Sequence, residues 1–519
     1  MHITAECWPY ARTGGLGETV STLAAHHATI GVPSTIVMPL YAPVRRELPG
    51  LRLAAAPVGV RLGEQTARVR LWSATSDERQ VSHVPRVFFV EHPDFTEREG
   101  LYGEHGIAYP DNPQRFAWFC AAALAALPWI APAARVLHAH DWHAALALVY
   151  LRTTFAASPF HRRLASVLSV HNAAYQGHAD PAQMPALGLA PHLFDWRLLE
   201  WYGQVNLLKG GIAFADMVAT VSRTHAAELR HPGSGFGLHG AFDALGERLV
   251  GIVNGIDQHV WNPATDAELA ARYSASSLSG KRRCKTALQR AFGLPERADV
   301  PVIAMCARLA AQKGWDLVLD GPLLSTANAQ FVFLGEGEPQ YVDALRDRAA
   351  ADSERIAVQT TFTDRYEHLL MGGADLFLLP SRYEPCGLSQ MRAQRYGAIP
   401  IAHRVGGLAD TIEDDVTGFL FETYSADALA AATTRALTHF TNHTAWSRIV
   451  REAMTRDFGW ARSADEYLAL YRRASGRASV GLTSRPRQDG ELRAPPARAP
   501  GLRPMWKDQP ATRSPLLAQ

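Results

Sequence analysis

Short apolar segments alternate along this chain with stretches whose apolar residues recur at helical spacing. The apolar segments before residue 255 are HITAEC, STIVMPLY, RVFFVE, RVLHAH, ASVLSV and DMVATVS. Those after it are VPVIAMCA, QFVFLG, IAVQTTF, DLFLLP, IPIAHR and GFLF. Strands that alternate with helices are typical of βαβ units. The pattern therefore predicts an α/β fold with two sets of parallel strands, one set in each half of the chain.

The boundary between the halves is predicted at Asn254-Gly255, a strong turn signal that Pro263 follows. We therefore predict a first domain over residues 1–253 and a second over residues 254–473. The last helical pattern runs from about Trp446 to Arg473. A chain of 519 residues is long enough for two such domains.

Composition changes at Ala474, where seven prolines and seven arginines fall among small and polar residues. Such a segment buries too little apolar surface to offset its ordering entropy, so residues 474–519 are predicted to be a disordered tail. The tail holds eight basic and three acidic residues against a formal net charge of +2 for the whole chain. The body is therefore slightly acidic, which disfavours nucleic acid as a partner.

The five cysteines fit neither a disulfide framework nor a zinc site, and this indicates a reducing compartment. The N-terminus MHITAECWPY lacks the basic start and apolar core of a signal peptide. No uncharged apolar run approaches the roughly 18 residues of a membrane span. These features predict a cytoplasmic protein without a membrane partner, and they predict no oligomeric state.

The stretch SRYEPCGLSQMRAQRYGAIPIAHRVGGLAD, residues 381–410, carries the most chemical information. Glu384 follows the apolar run ADLFLLPS, and the next predicted strand ends in Gly406-Gly407. Strands that end in polar, glycine-bearing turns build the ligand crevice of an open α/β sheet, and glycines let backbone N–H groups approach a phosphate or sugar. The alternative for Glu384 is a helix cap.

Two cations, Arg308 and Lys313, lie between the strand VPVIAM and a predicted helix, with Gly314 adjacent. Point charges, backbone donors and a helix N-terminus together favour a diphosphate. Taken alone, the two residues fit a solvated surface equally well.

In the first half, HAHDWHAALA (138–147) and SVHNAAYQG (169–177) are rich in polar groups. The run H-x-H-D-x-H suggests a metal site, but a strand that turns into a helix points these side chains in different directions. We therefore predict no metal. The simpler alternative is a satisfied histidine and a helix N-cap at Asp141.

Taken together, these motifs resemble those of bacterial glycogen synthases and plant starch synthases, the family 5 glycosyltransferases. The resemblance runs in order from about residue 2 to residue 472. It implies the GT-B architecture, in which two doubly wound Rossmann-like domains face a deep cleft and the C-terminal helix crosses back onto the first domain.

For the second domain, the resemblance rests on E-P-C-G-L-x-Q at Glu384 and on R-L-x-x-Q-K-G at Arg308 and Lys313. It implies that the two cations hold the leaving nucleoside diphosphate and that Glu384 stabilises the glucosyl group. Many related transferases carry a second Glu at the position of Arg392, so this motif contains no carboxylate pair.

Other second-domain residues follow the family less specifically. Phe362 stands where the family places an aromatic beside the base, and a ring stacks on any base without selecting adenine. A core Phe is an equal alternative. Gly335-Glu336-Gly337 looks like a glycine loop beside the nucleotide, although so short a motif is weak evidence.

For the first domain, the resemblance implies that Asp141 binds a sugar hydroxyl and that His171 lies against the reacting carbon, with Asn172 and Tyr175 beside it on the acceptor side. The glycine loop departs from the family pattern K-T-G-G-L-[GA]-D, because here it reads RTGGLGE from Arg12 to Glu18. Arg12 keeps the charge on a bulkier, planar group. We expect Arg12 and the backbone of Gly14 and Gly15 to contact the donor.

The resemblance thus implies a retaining α-1,4-glucosyltransferase that adds glucose from ADP-glucose to the non-reducing end of an α-1,4-glucan, with no cofactor. One alternative is a related transferase with another donor or acceptor. A second, of a different class, is a glucan-binding protein that has lost catalysis, and the altered loop at Arg12 is its only support.

Overall fold

The computed structural model describes residues 1–74, 84–104 and 107–481. By its internal packing the chain divides into two compact units. Of the described residues, the first unit holds Met1–Val221, Ala226–Ile252 and the chain from Ala461 to Gly481, and the second holds Ser222–His225 and Val253–Trp460. The sequence pattern put the main boundary between residues 253 and 254.

The chain up to Ile252 is built on strands buried on both faces, such as Thr35–Pro39 and Ala165–Val170, as in parallel sheets. Its strands are β1 (His2–Ile3), β2 (Thr35–Pro39), β3 (Arg52–Leu53), β4 (Val58–Leu62), β5 (Gln65–Ser73), β6 (Arg86–Glu91), β7 (Gly103–Glu104), β8 (Ile107–Ala108), β9 (Val136–His140), β10 (Ala165–Val170), β11 (His178–Ala179), β12 (Glu200–Trp201), β13 (Gln204–Asn206), β14 (Met217–Thr220) and β15 (Leu249–Gly251). The helices are α1 (Gly15–Thr29), α2 (Ala42–Glu47), α3 (Pro93–Thr96), α4 (Asn112–Ile130), α5 (Asp141–Arg152), α6 (Pro159–Arg162), α7 (Leu207–Phe214), α8 (Arg223–Glu228) and α9 (His239–Asp243).

The main sheet of the first unit has the order β15-β14-β10-β9-β1-β2-β6-β5-β3, with β4 paired to β5. The strands from β15 to β6 run parallel, and β5, β3 and β4 add an antiparallel edge. The predicted parallel strands are all present, although β1 spans only His2–Ile3. The edge hairpin β4–β5 was missed, and its signal is the alternation VGVRL, a Gly63-Glu64 turn, then QTARVRLWS.

The second unit is a six-stranded parallel sheet in the order β18-β17-β16-β19-β20-β21. Its strands are β16 (Val302–Cys306), β17 (Gln330–Leu334), β18 (Ile356–Gln359), β19 (Leu376–Leu379), β20 (Ile399–His403) and β21 (Phe419–Phe421), which confirms the strands predicted for this half. Its helices are α10 (Ser279–Ala291), α11 (Trp315–Leu319), α12 (Leu323–Thr326), α13 (Pro339–Ala351), α14 (Asp364–Gly373), α15 (Ser389–Arg395), α16 (Gly406–Thr411), α17 (Ala426–Thr441) and α18 (His443–Thr455).

The final helical region differs from the prediction in two ways. It is two helices rather than one, because α18 ends at Thr455 and α19 (Trp460–Gly481) begins after a short break. Helix α19 also runs past residue 474, the predicted start of the tail, and Ala474 is fully buried. Residues 482–519 of that predicted tail lie outside the described residues.

None of the described helices combines the length and hydropathy that a bilayer-spanning segment requires.

Candidate functional site

Most of the predicted site residues lie at the strand ends where each sheet reverses its order. In the first unit, β1 lies between β9 and β2, and the chain builds outward from it in both directions. In the second unit, β16 lies between β17 and β19 in the same way. Open α/β sheets bind their ligands at such switch points, beyond the carboxyl ends of the strands.

In the second unit, Lys313 and Glu384 form an ion pair, with the ammonium Nζ 2.6 Å from the carboxylate Oε2. The Glu384 side chain is 9% exposed and that of Lys313 is 19% exposed. Ser381 Oγ also donates to Glu384 Oε2 at 3.0 Å. Both charges are therefore largely withdrawn from water, which excludes the alternative of a solvated surface cation for Lys313. The N-cap of the following helix is Leu388, so Glu384 is not its cap.

Arg308 lies on the same loop and is half-buried. Its Nη2 donates to Gln312 Oε1 at 3.2 Å, and Gln312 Nε2 donates to the carbonyl of Tyr383 at 3.2 Å. Gln312 therefore ties the loop of the two cations to the residue before Glu384. The structure thus brings Arg308, Lys313 and Glu384 together at one sheet edge, and Gln312 is a link that the sequence analysis missed.

Two glycines allow the loops around this edge to approach each other. A Cβ on Gly314 (φ +77°) would meet the carbonyl oxygen of Pro380 at 2.0 Å. A Cβ on Gly406 (φ +44°) would meet the carbonyl oxygen of Glu384 at 1.9 Å, and Gly407 N donates to that oxygen at 3.1 Å. Gly406-Gly407 therefore holds the backbone of Glu384 in place.

We expect Gly406→Ala to lower the free energy of unfolding by about 2 kcal/mol, because alanine is strained at this positive φ and its Cβ would clash with the carbonyl oxygen of Glu384. Gly14→Ala is the control: Gly14 has an extended backbone and no heavy atom within 4 Å of an added Cβ. Urea denaturation of the two variants measures the difference. If the two variants have equal free energies of unfolding, the contact between an added Cβ at residue 406 and the Glu384 carbonyl oxygen does not limit this position.

Arg392, at the position where related transferases carry a second Glu, is buried and paired. Its Nη1 donates to Glu367 Oε1 at 2.7 Å, and its guanidinium lies 4.2 Å from the ring centroid of Trp261. The charge of Arg392 is therefore neutralised by Glu367, and the described motif holds no second carboxylate beside Glu384.

Phe362 is 37% exposed, so it is not the core aromatic that the sequence left as an alternative. Its backbone N–H donates to Glu336 Oε1 at 2.6 Å. Glu336 is the middle residue of Gly335-Glu336-Gly337, so this acid joins the glycine loop to the aromatic turn. Both follow the carboxyl ends of neighbouring strands, β17 and β18.

In the first unit, Glu6 organises the glycine loop, and the sequence analysis missed it. Its buried carboxylate accepts hydrogen bonds from Thr13 N and Thr13 Oγ1, both at 2.8 Å, and from Tyr102 Oη at 2.7 Å. Burial raises the pKa of Glu6, and these hydrogen bonds oppose the rise. The available signal was an acid at the end of an apolar strand, the same signal that singled out Glu384.

Asp141 is the first residue of α5 and has a left-handed backbone, with φ +55°. Its Oδ1 accepts from the backbone N–H of His171 at 2.6 Å and of Asn172 at 3.4 Å. The carboxylate therefore joins the end of β9 to the end of β10 and does not act as the N-cap, which is His140. Burial raises the pKa of Asp141 to about 7.

Buried histidines surround this point. Among the described residues, the histidines with ring nitrogens within 4.8 Å of one another are His2, His138 and His140. This group differs from the H-x-H-D-x-H run, for which the sequence predicts no metal. The ring nitrogens of His138 already face Ser169 Oγ at 2.7 Å and Tyr471 Oη at 2.9 Å. The absence of a metal stays a prediction.

The remaining predicted residues of the first unit lie at the surface of the same strand ends. Tyr175 is 51% exposed, and Asn172 Oδ1 accepts from Ala174 N at 3.0 Å, which shapes the turn. The Arg12 guanidinium lies 4.1 Å from the ring centroid of Trp8. The exposed Gly14 and Gly15 form the start of α1, a helix N-terminus beside the Glu6 carboxylate.

The two parallel sheets, each with polar residues at its switch point, define a two-domain glycosyltransferase of the GT-B type. A sucrose-phosphate synthase from Thermosynechococcus elongatus shares this fold, with a TM-score of 0.57 at 18% identity. Residues 1–244 match the model of the starch synthase catalytic domain, and residues 289–452 match that of glycosyl transferases group 1.

The chain belongs to the glycogen and starch synthase family. It is 40% identical to glycogen synthase of Syntrophotalea carbinolica, over 91% of this chain and 97% of the relative. It is 41% identical to glycogen synthase 2 of Geobacter sulfurreducens, over 92% and 98%. The catalytic domain of starch synthase IV from Arabidopsis thaliana, solved bound to ADP and acarbose, superposes with a TM-score of 0.82 at 31% identity, over 92% of this chain and 99% of that one.

Proposed function

We propose that this glucosyltransferase takes glucose from ADP-glucose and adds it, with retention of configuration, to the non-reducing 4-hydroxyl of an α-1,4-glucan. The observation that carries the proposal is the Lys313–Glu384 pair at the switch point of the second sheet, in a chain that resembles glycogen synthases over most of its length. Support for the donor and acceptor comes from the starch synthase IV that was solved with ADP and acarbose.

In this proposal, Arg308 and Lys313 neutralise the diphosphate as the bond to the anomeric carbon breaks. Glu384 stabilises the positive charge that develops on the glucosyl group. Gly406 and Gly407, whose lack of side chains lets the backbone approach the donor closely, lie beside it and hold the backbone of Glu384. Phe362 stacks on the base, which supplies affinity without selecting it.

The first unit supplies the groups around the transferred glucose. Asp141 binds a sugar hydroxyl, and His171 lies against the reacting carbon, with Asn172 and Tyr175 on the acceptor side. Arg12 and the backbone of Gly14 and Gly15 contact the donor. The proposal requires water to be excluded from the glucosyl group, so that transfer prevails over hydrolysis. Neither a metal nor a cofactor takes part, and the reaction takes place in the cytoplasm.

The test is incubation of the purified chain with glycogen and radiolabelled ADP-glucose or UDP-glucose. We expect the label to enter the polymer and to be released by β-amylase, which cleaves α-1,4-glucans from the non-reducing end. We also expect kcat/KM for ADP-glucose to be about tenfold or more above that for UDP-glucose. A preference for UDP-glucose would overturn the donor assignment. Glycogen binding without transfer from either donor would overturn catalysis and favour a glucan-binding role.

A further inference from the structure

Three histidines form a hydrogen-bonded line that ends at His171. His2 Nδ1 lies 3.1 Å from His140 Nε2, and His140 Nδ1 lies 3.0 Å from His171 Nε2. His2 is on β1 and His140 closes the neighbouring strand β9. His171 follows β10, the next strand of the same sheet. The line therefore crosses the switch point of the first sheet from its interior to its polar edge.

All three rings are neutral. Burial lowers the pKa values of His2 and His140 well below the usual range, and it lowers that of His171 to about 3. A neutral imidazole has one N–H donor and one acceptor nitrogen. His140 must therefore donate to one neighbour and accept from the other, so both hydrogen bonds point in the same direction along the line.

This shared direction couples the two ends. If His2 donates from Nδ1, then His140 donates to His171 Nε2 and the proton of His171 is on Nδ1. If the direction is reversed, His171 carries its proton on Nε2. The tautomer of His171 is then the same as that of His2, although the two rings do not need to touch.

The middle ring is also held in place by packing. The ring centroids of His138 and His140 are 4.1 Å apart, and those of His2 and His140 are 5.4 Å apart in a stacked arrangement. His138 is itself fixed by Ser169 and Tyr471. The orientation of His140 is thus determined on both sides, which keeps the line intact.

We propose that His2 is a positioning residue, which acts through His140 to hold His171 in a single tautomer and so determines whether His171 presents an N–H or a lone pair to the substrate. This inference rests on the proposed function, in which His171 contacts the transferred glucose. A mixture of tautomers would leave only part of the enzyme competent, which lowers turnover without removing a substrate contact.

The test compares His2→Asn with His2→Leu. One terminal amide atom of Asn lies where Nδ1 lies in His, so Asn retains a polar partner for His140, whereas Leu has a similar shape and no polar atom. We expect His2→Leu to lower kcat about tenfold with both KM values within about twofold of wild type, and His2→Asn to recover most of the loss. His161→Phe is the control, since His161 is a buried histidine bonded to Ser158 and Leu124, outside the line.

Ring ¹⁵N chemical shifts give a readout that a merely structural role would not move. The His171 signals, assigned with a His171→Gln variant, should show one tautomer in wild type and in His2→Asn, and an average of two in His2→Leu. Unchanged His171 shifts and unchanged kcat in folded His2→Leu would overturn the inference. If the wild-type protein transfers no glucose, the proposed function fails, while the shifts still decide whether His2 sets the tautomer.

Discussion

Glu384→Gln is expected to lower kcat about a thousandfold while the protein stays folded, because the amide retains the shape of the carboxylate and removes its charge. In the proposed mechanism that charge stabilises the glucosyl cation, so the loss falls on kcat more than on the KM for donor. The measurement is steady-state transfer from radiolabelled ADP-glucose to glycogen.

Lys313→Met is expected to act on stability as well as on activity. It leaves the buried Glu384 carboxylate without its cation, which costs about 3 kcal/mol of unfolding free energy. The double variant Lys313→Met/Glu384→Gln removes both charges, so we expect its stability to return to within about 1 kcal/mol of wild type. Its activity should stay lost, because two of the groups that act on the donor are gone.

Lys285–Asp375 is a matched control in the same unit. These side chains form a comparably buried ion pair at 2.8 Å, but Asp375 lies before β19, at the end of the strand opposite to Glu384. Lys285→Met should lower stability by a similar amount and leave kcat within about threefold of wild type at temperatures where the variant is folded. If Glu384→Gln also keeps wild-type kcat, the catalytic assignment of the pair is wrong.

The strands and the neighbourhood of Glu384 were predictable because their signals are local. A short apolar run that ends in polar residues marks a parallel strand and its turn, and β16 to β21 all follow this pattern. The antiparallel hairpin β4–β5 was missed because its alternation contains charged residues on the solvent face. The end of α19 was also misplaced, since burial of Ala474 depends on tertiary packing that composition does not report.

The partners of the site residues were not predictable from the sequence, because they come from strand order. Glu6 accepts a hydrogen bond from Tyr102, and His2 lies within hydrogen-bond distance of His140. Both contacts depend on the position of β1, the strand at which the order of the first sheet reverses. The same register places the backbone of His171 over the carboxylate of Asp141. Resemblance to a family identified several of these residues, but it did not show what holds each one in place.

Asp141→Asn is expected to stabilise the protein at pH 8 while it impairs catalysis. Burial raises the pKa of Asp141 in the folded protein to about 7, against an ordinary value of 3.8. The folded state therefore binds a proton that the unfolded state has released between these pH values, so the contribution of this group to stability falls as pH rises through 7. Asn is neutral at every pH and can still accept from His171 N through its carbonyl oxygen.

We therefore expect Asp141→Asn to raise the free energy of unfolding at pH 8 by about 2 kcal/mol and by clearly less at pH 5, because the folded wild type is protonated at pH 5 while the unfolded chain has largely released this proton. The difference should vanish only below the ordinary pKa of 3.8, where both states are protonated. The kcat should fall about a hundredfold, because an amide is a weaker acceptor for a sugar hydroxyl than a carboxylate. Urea denaturation at the two pH values and the transfer assay check both expectations.

Asp216→Asn is the contrasting control in the same unit. Asp216 accepts from Arg152, Ser166 N and Ser166 Oγ, so its charge is paired and its loss should destabilise the protein. Opposite signs for the same substitution would show that the cost at Asp141 comes from an unpaired buried charge. If Asp141→Asn and Asp216→Asn lower stability equally, Asp141 instead stabilises the fold as an anion. Its proposed contact with the sugar would then have to be made by another acceptor at this strand end.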